Sequence, residues 1–237
     1  MEKPFQFKKF TIEQDRCAMK VGTDGVLLGA WTSVKNNPFS ILDIGSGTGI
    51  LALMLAQRSG AELIEAIEID ANAYEQCVGN FENSPWNDRL FCYHASLLEF
   101  VDDVDDTFDL IICNPPFYFE DYKSNIKSRD LARFNDAMPF KHIIYAVAKL
   151  LSKEGLFSII IPKKEELNLI QLAASVKIFP SRILNVKGNS NTKIKRCLIE
   201  FTFHNVAVKI SELVIETDRH NYTEDYINLT KAFYLNM

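Results

Sequence analysis

Residues 40–50 read Ser40-Ile41-Leu42-Asp43-Ile44-Gly45-Ser46-Gly47-Thr48-Gly49-Ile50, and this segment predicts an α/β fold. An apolar run ends in Asp43, three glycines alternate with small polar residues, and apolar helix formers follow as far as Ala56. The pattern indicates a strand, a tight turn and a helix. A glycine turn at this point lets a ligand approach the backbone, and the helix offers free N–H groups at the positive end of its dipole.

The spacing of the glycines indicates which ligand to expect. Dinucleotide sites usually read G-x-G-x-x-G and bind a pyrophosphate, whereas this turn reads D-x-G-x-G-x-G from Asp43 to Gly49. That order is similar to the first motif of the S-adenosylmethionine (SAM)-dependent methyltransferases, whose ligand carries an ammonium and a sulfonium group. An acid just before the turn suits such a cation. A plain βα turn without a ligand is the alternative.

The composition bounds the class of protein. With 237 residues and 47% hydrophobic content, the chain can bury one sizeable core, so we expect a single domain. Within it, residues 1–38 form an N-terminal arm or lid, residues 39–204 the core, and residues 205–237 an edge strand and a helix. No apolar run is long enough to span a membrane, and no signal-peptide pattern is present. Five cysteines without a C-x-x-C pair predict free thiols, no metal and a cytoplasmic location.

The net charge of −5 gives no general argument for a nucleic-acid partner, although a local basic surface would suffice. Any single basic cluster is ordinarily a solvated surface. The basic side chains group in three places, which are Lys3, Lys8, Lys9, Arg16 and Lys20; Lys123, Lys127, Arg129 and Arg133; and Lys187, Lys193, Lys195 and Arg196.

A second strand is predicted from Glu62 to Ile69, and Glu68 stands close to its end. In nucleoside-binding α/β folds, an acid at this point accepts hydrogen bonds from both ribose hydroxyls. A carboxylate suits that role because it has two oxygens and accepts only. A solvated acid at a strand end is the alternative, and the preceding glycine turn favours the ribose hypothesis.

The nearly continuous apolar run Phe108–Cys113 predicts a central parallel strand that leads directly into Asn114-Pro115-Pro116-Phe117. Two prolines stiffen the backbone just past the strand, where α/β folds place ligands. The side-chain carbonyl of Asn114, the backbone carbonyl of Pro115 and the ring of Phe117 together suit a planar amino group. A proline turn that merely ends the strand is the alternative.

Several element boundaries are also predicted. Thr23 or Asp24 is expected to cap a short helix, and both side chains then lie at the edge of the ligand pocket if the arm is a lid. Asn72 with Glu75 resembles a capping pair, and Thr223 is expected to cap a terminal helix. Antiparallel closing strands are predicted around residues 182–187 and 196–203, followed by an edge strand at 208–216, while residues 118–139 form a polar loop.

Taken together, these motifs resemble the class I amino-group methyltransferases. The segments Phe7–Phe10 and Cys17–Trp31 narrow the resemblance to the bacterial tRNA(Val) adenine-N6 methyltransferases, which modify the adenosine just 3′ of the anticodon. The resemblance covers nearly the whole chain. It implies a Rossmann-like α/β fold with a seven-stranded, mostly parallel sheet, an antiparallel closing hairpin and helices on both faces. It also implies SAM as cofactor, S-adenosyl-L-homocysteine as product, tRNA as partner, no metal, no membrane and a monomer.

The resemblance also assigns roles to residues. Where the family commonly has an acid after the third strand, this chain has Ser96, whose hydroxyl can still accept a hydrogen bond. The catalytic residues that it implies are Asn114, Pro115 and Phe117. The cofactor-binding residues that it implies are Thr23, Asp24, Asp43, Gly45, Gly47, Gly49, Glu68, Ser96 and Asn114.

Three alternatives stay open at this point. The Asn-Pro-Pro-Phe motif also suits methylation of a protein glutamine amide or of an rRNA guanine N2. A module that senses SAM or chaperones RNA without turnover is a third possibility. The four histidines show no pairing with a nucleophile, so hydrolase chemistry has no support.

Overall fold

The structure is a computed structural model that describes residues 3–116 and 138–237. The strands in these ranges are β1 (Phe5–Gln6), β2 (Thr11–Ile12), β3 (Ser40–Ile44), β4 (Leu63–Glu68), β5 (Leu90–His94), β6 (Phe108–Cys113), β7 (Leu151–Pro162), β8 (Phe179–Asn189), β9 (Arg196–Thr202), β10 (Lys209–Asp218) and β11 (Asn221–Tyr222). The helices are α1 (Thr23–Trp31), α2 (Ile50–Arg58), α3 (Ala71–Glu82), α4 (Leu97–Asp103), α5 (Phe140–Leu150), α6 (Glu166–Ser175) and α7 (Glu224–Thr230), with a 3-10 turn at Lys163–Glu165.

One large sheet has the strand order β11-β10-β8-β9-β7-β6-β3-β4-β5. Strands β3 to β7 run parallel to one another, whereas β9 is antiparallel to both β7 and β8. The predicted α/β class and the antiparallel closing hairpin are thus confirmed. The sheet has two strands more than predicted, because β10 adds parallel to β8 and the short β11 pairs with β10. Residues 208–216 were predicted to form the edge strand. That prediction is wrong, because β10, which contains most of them, lies between β8 and β11, and β11 is at the edge of the sheet.

Helices cover both faces of the sheet because side chains alternate along the strands. Ile41 and Leu110 pack in one apolar cluster with residues of α1, α2 and α3. Their chain neighbours Leu42 and Ile111 pack in a second cluster with residues of α4, α5 and α6. Strands β3 and β6 are buried from both sides and form the centre of the sheet. None of the described helices has the length and apolar content that crossing a membrane requires.

The helix caps agree only in part with the predictions. Helix α1 has Gly22 at its N-cap and no side-chain cap, so the prediction of Thr23 or Asp24 as the cap is wrong. The cap of α3 is Asp70, whose side chain accepts from the Ala73 N–H at 2.8 Å, so Asn72 and Glu75 do not form the predicted pair. Thr223 caps α7 as predicted.

Candidate functional site

A cavity of about 370 Å³ lies at the carboxyl ends of the parallel strands. The chain leaves β3 toward β4 on one side and later returns to β6 on the other. Such a switch point is where open α/β sheets bind ligands, because the connections diverge there. The lining residues are Cys17, Ala18, Met19, Gly45, Gly47, Ile67, Glu68, Ile69, Asp70, Ala73, Ala95, Ser96, Leu97, Leu98, Asn114, Pro116, Met138, Pro139 and His142.

The glycine turn after β3 adopts a backbone that L side chains rarely take. Gly45, Gly47 and Gly49 have φ values of +71°, +54° and +79°. A Cβ on Gly47 would meet nothing within 4 Å, so its backbone angle is what requires glycine there. A Cβ on Gly49 would lie 2.6 Å from the Phe81 ring, so Gly49 is turned toward α3. Gly45 and Gly47 line the cavity.

The carboxylate of Glu68 is held by two backbone amides. Its Oε2 accepts from the Gly47 N–H at 2.8 Å, and its Oε1 accepts from the Asp70 N–H at 2.9 Å. The side chain lines the cavity and is 9% exposed. Because each carboxylate oxygen has two acceptor sites, one on each oxygen stays open for a ligand.

Asp43 lies behind the glycine turn and is fully buried. Its Oδ2 accepts from the Ala52 N–H at 3.2 Å, whereas its Oδ1 has no hydrogen-bond partner among the described residues. Burial raises the pKa of Asp43 to about 7; the bond from Ala52 opposes the rise, and the charge of Glu68 adds to it. An orphaned buried carboxylate oxygen would be stabilised by a cationic ligand.

Strand β6 delivers Asn114 and the two prolines to the same cavity. Asn114 and Pro116 line it, while Pro115 is buried. Helix α1 begins close by, since a Cβ on Gly25 would lie 3.8 Å from Nδ2 of Asn114. The structure therefore brings Asn114 and Glu68 to one cavity, and Phe117 falls outside the described residues.

Two predicted cofactor residues, Ser96 and Asp24, have other contacts. The hydroxyl of Ser96 caps α4 by accepting from the Glu99 N–H at 3.3 Å, although Ser96 also lines the cavity. Asp24 Oδ2 accepts from Nε of Arg196 at 2.8 Å. Neither Thr23 nor Asp24 is among the described residues that line the cavity.

The sequence did not identify several lining residues. Ile69 is 52% exposed directly after Glu68, and an apolar residue in that position was a usable signal. Met138 lies just before α5, and His142 lies in the first turn of that helix. Cys17 and Met19 come from the N-terminal arm, for which the sequence suggested a lid without naming either residue as part of the pocket.

Of the three predicted basic clusters, two lie within the described residues. Arg196 pairs in register with Pro162 at the end of β7, so the start of β9 lies at the same edge of the sheet as the cavity. Lys193 and Lys195 are exposed at that edge. In the N-terminal cluster, Arg16 is paired with Glu75 at 2.8 Å. The cluster at 123–133 falls outside the described residues.

No group of three or more His, Cys, Asp or Glu side chains within residues 3–116 and 138–237 is arranged to hold a metal ion. The cavity thus presents the Glu68 carboxylate, the Asn114 side-chain amide, two glycines and apolar walls, with the buried Asp43 carboxylate behind the turn and outside the lining.

Comparisons with known proteins identify relatives. A family model described as the methyltransferase small domain matches residues 27–175. The chain is 59% identical to a tRNA1(Val) (adenine(37)-N6)-methyltransferase of Flavobacterium johnsoniae, over 98% of this chain and 100% of that protein. It is 44% identical to a protein of the same name from Bacteroides thetaiotaomicron, over 98% of each.

A solved structure also has a similar fold. An Agrobacterium tumefaciens protein described as a predicted O-methyltransferase has a TM-score of 0.69 and 18% identity, over 89% of this chain and 96% of that chain. At that identity the likeness concerns the fold alone.

Proposed function

The chain belongs to the methyltransferase small domain family, and on that premise we propose that it transfers the methyl group of SAM to N6 of adenine 37 in tRNA1(Val). The observation that carries the proposal is that Glu68 and Asn114 line one cavity beside the glycine turn. An acceptor for ribose hydroxyls and an acceptor for an amino group then face the same space. Relatives that match over nearly their full length carry the corresponding name.

The residues around the cavity fit SAM. The open acceptor sites of Glu68 suit two ribose hydroxyls. Asp43 lies behind the turn and outside the cavity lining, so its carboxylate would favour the positive end of the ligand through its charge and not by direct contact. Ile69 and Leu97 offer apolar surface for a purine ring. When bound, SAM supplies an electrophilic methyl group on its sulfonium.

Asn114 and Pro115 are assigned to the target base. An exocyclic amino group of adenine is a poor nucleophile because its lone pair is delocalised into the ring. If Oδ1 of Asn114 and the carbonyl of Pro115 each accept one N–H, the nitrogen is held and drawn toward sp³ geometry. Its lone pair then becomes available for the methyl group, and the gain comes from orientation and charge complementarity.

Phe117 is assigned to stacking on the same base, which is worth roughly 1–3 kcal/mol. It falls outside the described residues, so this role stays a prediction. The base must leave its stack before it reaches Asn114, and an unpaired loop nucleotide does so at low cost. An adenine in an anticodon loop meets that condition.

The tRNA backbone is assigned to the edge that carries Lys193 and Lys195, together with the basic residues at 123–133. A local basic surface of this kind lets a chain of net charge −5 bind a polyanion. A monomer, a cytoplasmic location and a reaction without a metal ion stay predictions.

The deciding experiment offers total tRNA and a glutamine-bearing peptide side by side with labelled SAM. We expect the label at N6 of adenine 37 in tRNA1(Val), and a transcript with guanine at that position should take up none. Label on the peptide alone would replace the substrate with a protein amide. Label on a tRNA guanine would keep the partner and change the reaction.

A further inference from the structure

Two amide side chains of α3 are buried although they face no part of the cavity. Gln76 and Asn80 are 8% and 3% exposed, and their spacing of four places them on one face of the helix. Buried amides destabilise a fold unless they are hydrogen-bonded. Both find their partners in segments that are distant in sequence.

Asn80 joins the N-terminal arm to the glycine turn. Its Oδ1 accepts from the Glu13 N–H, and its Nδ2 donates to the Glu13 carbonyl and to the Thr48 carbonyl, each at 2.9 Å. The side chain of Asn80 thus bonds both the backbone N–H and the backbone carbonyl of Glu13, as a neighbouring β-strand would. Thr48 stands between Gly47 and Gly49, so the same side chain contacts the turn that borders the cavity.

Gln76 holds the arm one helical turn earlier. Its Oε1 accepts from the Arg16 N–H at 2.7 Å, and its Nε2 donates to Oδ1 of Asp15 at 3.2 Å. The ion pair of Arg16 with Glu75 lies outside these bonds, and its two side chains are more than half exposed. Gln76 therefore fixes the arm backbone immediately before the cavity.

The next three residues of the arm, Cys17 to Met19, line the cavity. Since the Arg16 amide is held by Gln76, the chain enters the cavity wall at Cys17 from an anchored backbone. We propose that Gln76 and Asn80 are positioning residues for cofactor binding, which hold Cys17–Met19 as one wall of the cofactor cavity. The inference rests on the proposed function, because SAM is assigned to that cavity there.

A reversal of hydrogen-bond partners tests the role of Gln76. In Gln76→Glu a carboxylate faces Asp15, and the repulsion should release the arm. Adding Asp15→Asn restores a donor opposite the new acceptor. By calorimetry we expect Gln76→Glu to weaken SAM binding about tenfold and the double variant to recover to within about twofold. Hydrogen exchange at the Arg16 amide should rise and recover in parallel, while kcat at saturating SAM stays unchanged.

A matched control is Glu75→Gln, which removes only the exposed ion pair and should leave SAM affinity within about twofold of wild type. If Gln76→Glu fails to fold, Asp15→Ala removes the acceptor of the same hydrogen bond at an exposed position and should give a weaker loss of the same kind. Wild-type SAM affinity in these variants, with or without a lower melting temperature, would overturn the inference.

The two proposals fail in different ways. A wild-type protein that binds SAM but leaves tRNA unmethylated contradicts the proposed substrate, and the affinity comparison still decides the role of Gln76. A wild-type protein that does not bind SAM overturns both.

Discussion

Glu68 and Gly47 are joined by a hydrogen bond of 2.8 Å between the carboxylate Oε2 and the backbone N–H. The bond connects the end of β4 to the turn after β3, and it fixes the amide of the residue that has a φ of +54°. One carboxylate therefore shapes the glycine turn and also faces the cavity. A charge-assisted bond of this kind contributes more than a neutral one.

Replacing Glu68 should weaken cofactor binding. In Glu68→Ala the Gly47 amide loses its acceptor and the ribose loses two, so we expect SAM affinity to fall by about 10²-fold or more. Calorimetry with SAM measures it. Glu65→Gln, on the same strand, is the control, because its carboxylate accepts from the Tyr93 hydroxyl outside the cavity lining. Equal SAM affinity in Glu68→Ala and wild type would remove Glu68 from the site.

Two glycines of one turn should respond differently to alanine. Gly47→Ala adds a methyl group at the cavity with only the backbone strain of positive φ, about 1–2 kcal/mol, so SAM affinity should fall more than stability. Gly49→Ala adds the same strain and a contact of 2.6 Å with Phe81, so the free energy of unfolding should fall further. Urea denaturation with and without SAM measures both quantities. A larger stability loss in Gly47→Ala would contradict this account.

Asp43 should make stability depend on pH. Its pKa rises from 3.8 to about 7 because of burial, so the folded state holds this proton more tightly than the unfolded state. The stabilisation is fully present below pH 3.8 and is lost as the pH rises through about 7. Asp43→Asn removes this titration, so the variant does not lose this stabilisation as the pH rises. The free energy of unfolding of Asp43→Asn minus that of wild type should therefore increase by about a few kcal/mol between pH 4 and pH 8.

Urea denaturation at several pH values in that window measures the difference for Asp43→Asn. The exposed Asp88→Asn is the control for removal of a surface carboxylate. A difference that stays constant for Asp43→Asn would contradict the raised pKa of Asp43.

The parts of the site that the sequence predicted are encoded by neighbouring residues. Strand β6 has the predicted bounds Phe108–Cys113, because a continuous apolar run that ends at Asn-Pro-Pro has one simple interpretation. Helix α2 starts at Ile50 as predicted, since three glycines before an apolar run define its start. Glu68 ends β4 close to the predicted end of that strand, because the residues just before it form a local strand pattern.

The parts that the sequence missed depend on contacts between distant segments. Residues Cys17–Met19 reach the cavity because Gln76 and Asn80 bind the arm, and no pattern within the arm encodes those bonds. Asp24 is of a residue type that commonly caps helices, but its carboxylate pairs with Arg196. A tertiary contact therefore overrides the local preference. Strand β11 has two residues, too few for any periodicity.

Asn114 should affect turnover and spare the cofactor. Asn114→Ala removes the side-chain acceptor proposed for the target amino group, and loss of one positioned polar contact in the transition state costs about 10²–10³ in rate. SAM affinity by calorimetry should stay close to wild type. The exposed Asn168→Ala on α6 is the control and should keep full activity. Near-normal methylation by Asn114→Ala would leave Asn114 as a residue that only ends β6.

Charge reversal at the edge of the sheet that holds the cavity should weaken tRNA binding and leave SAM affinity unchanged. Lys193→Glu with Lys195→Glu replaces two exposed cations, so we expect weaker tRNA binding and a shallower dependence of affinity on salt, because fewer phosphates are neutralised. Arg196 is left unchanged in this variant, since a carboxylate there would face Asp24 and disturb α1. Filter binding of tRNA at several salt concentrations measures the slope, and Lys153→Glu at the opposite edge is the control. An unchanged slope in the double variant would place the tRNA backbone on another surface.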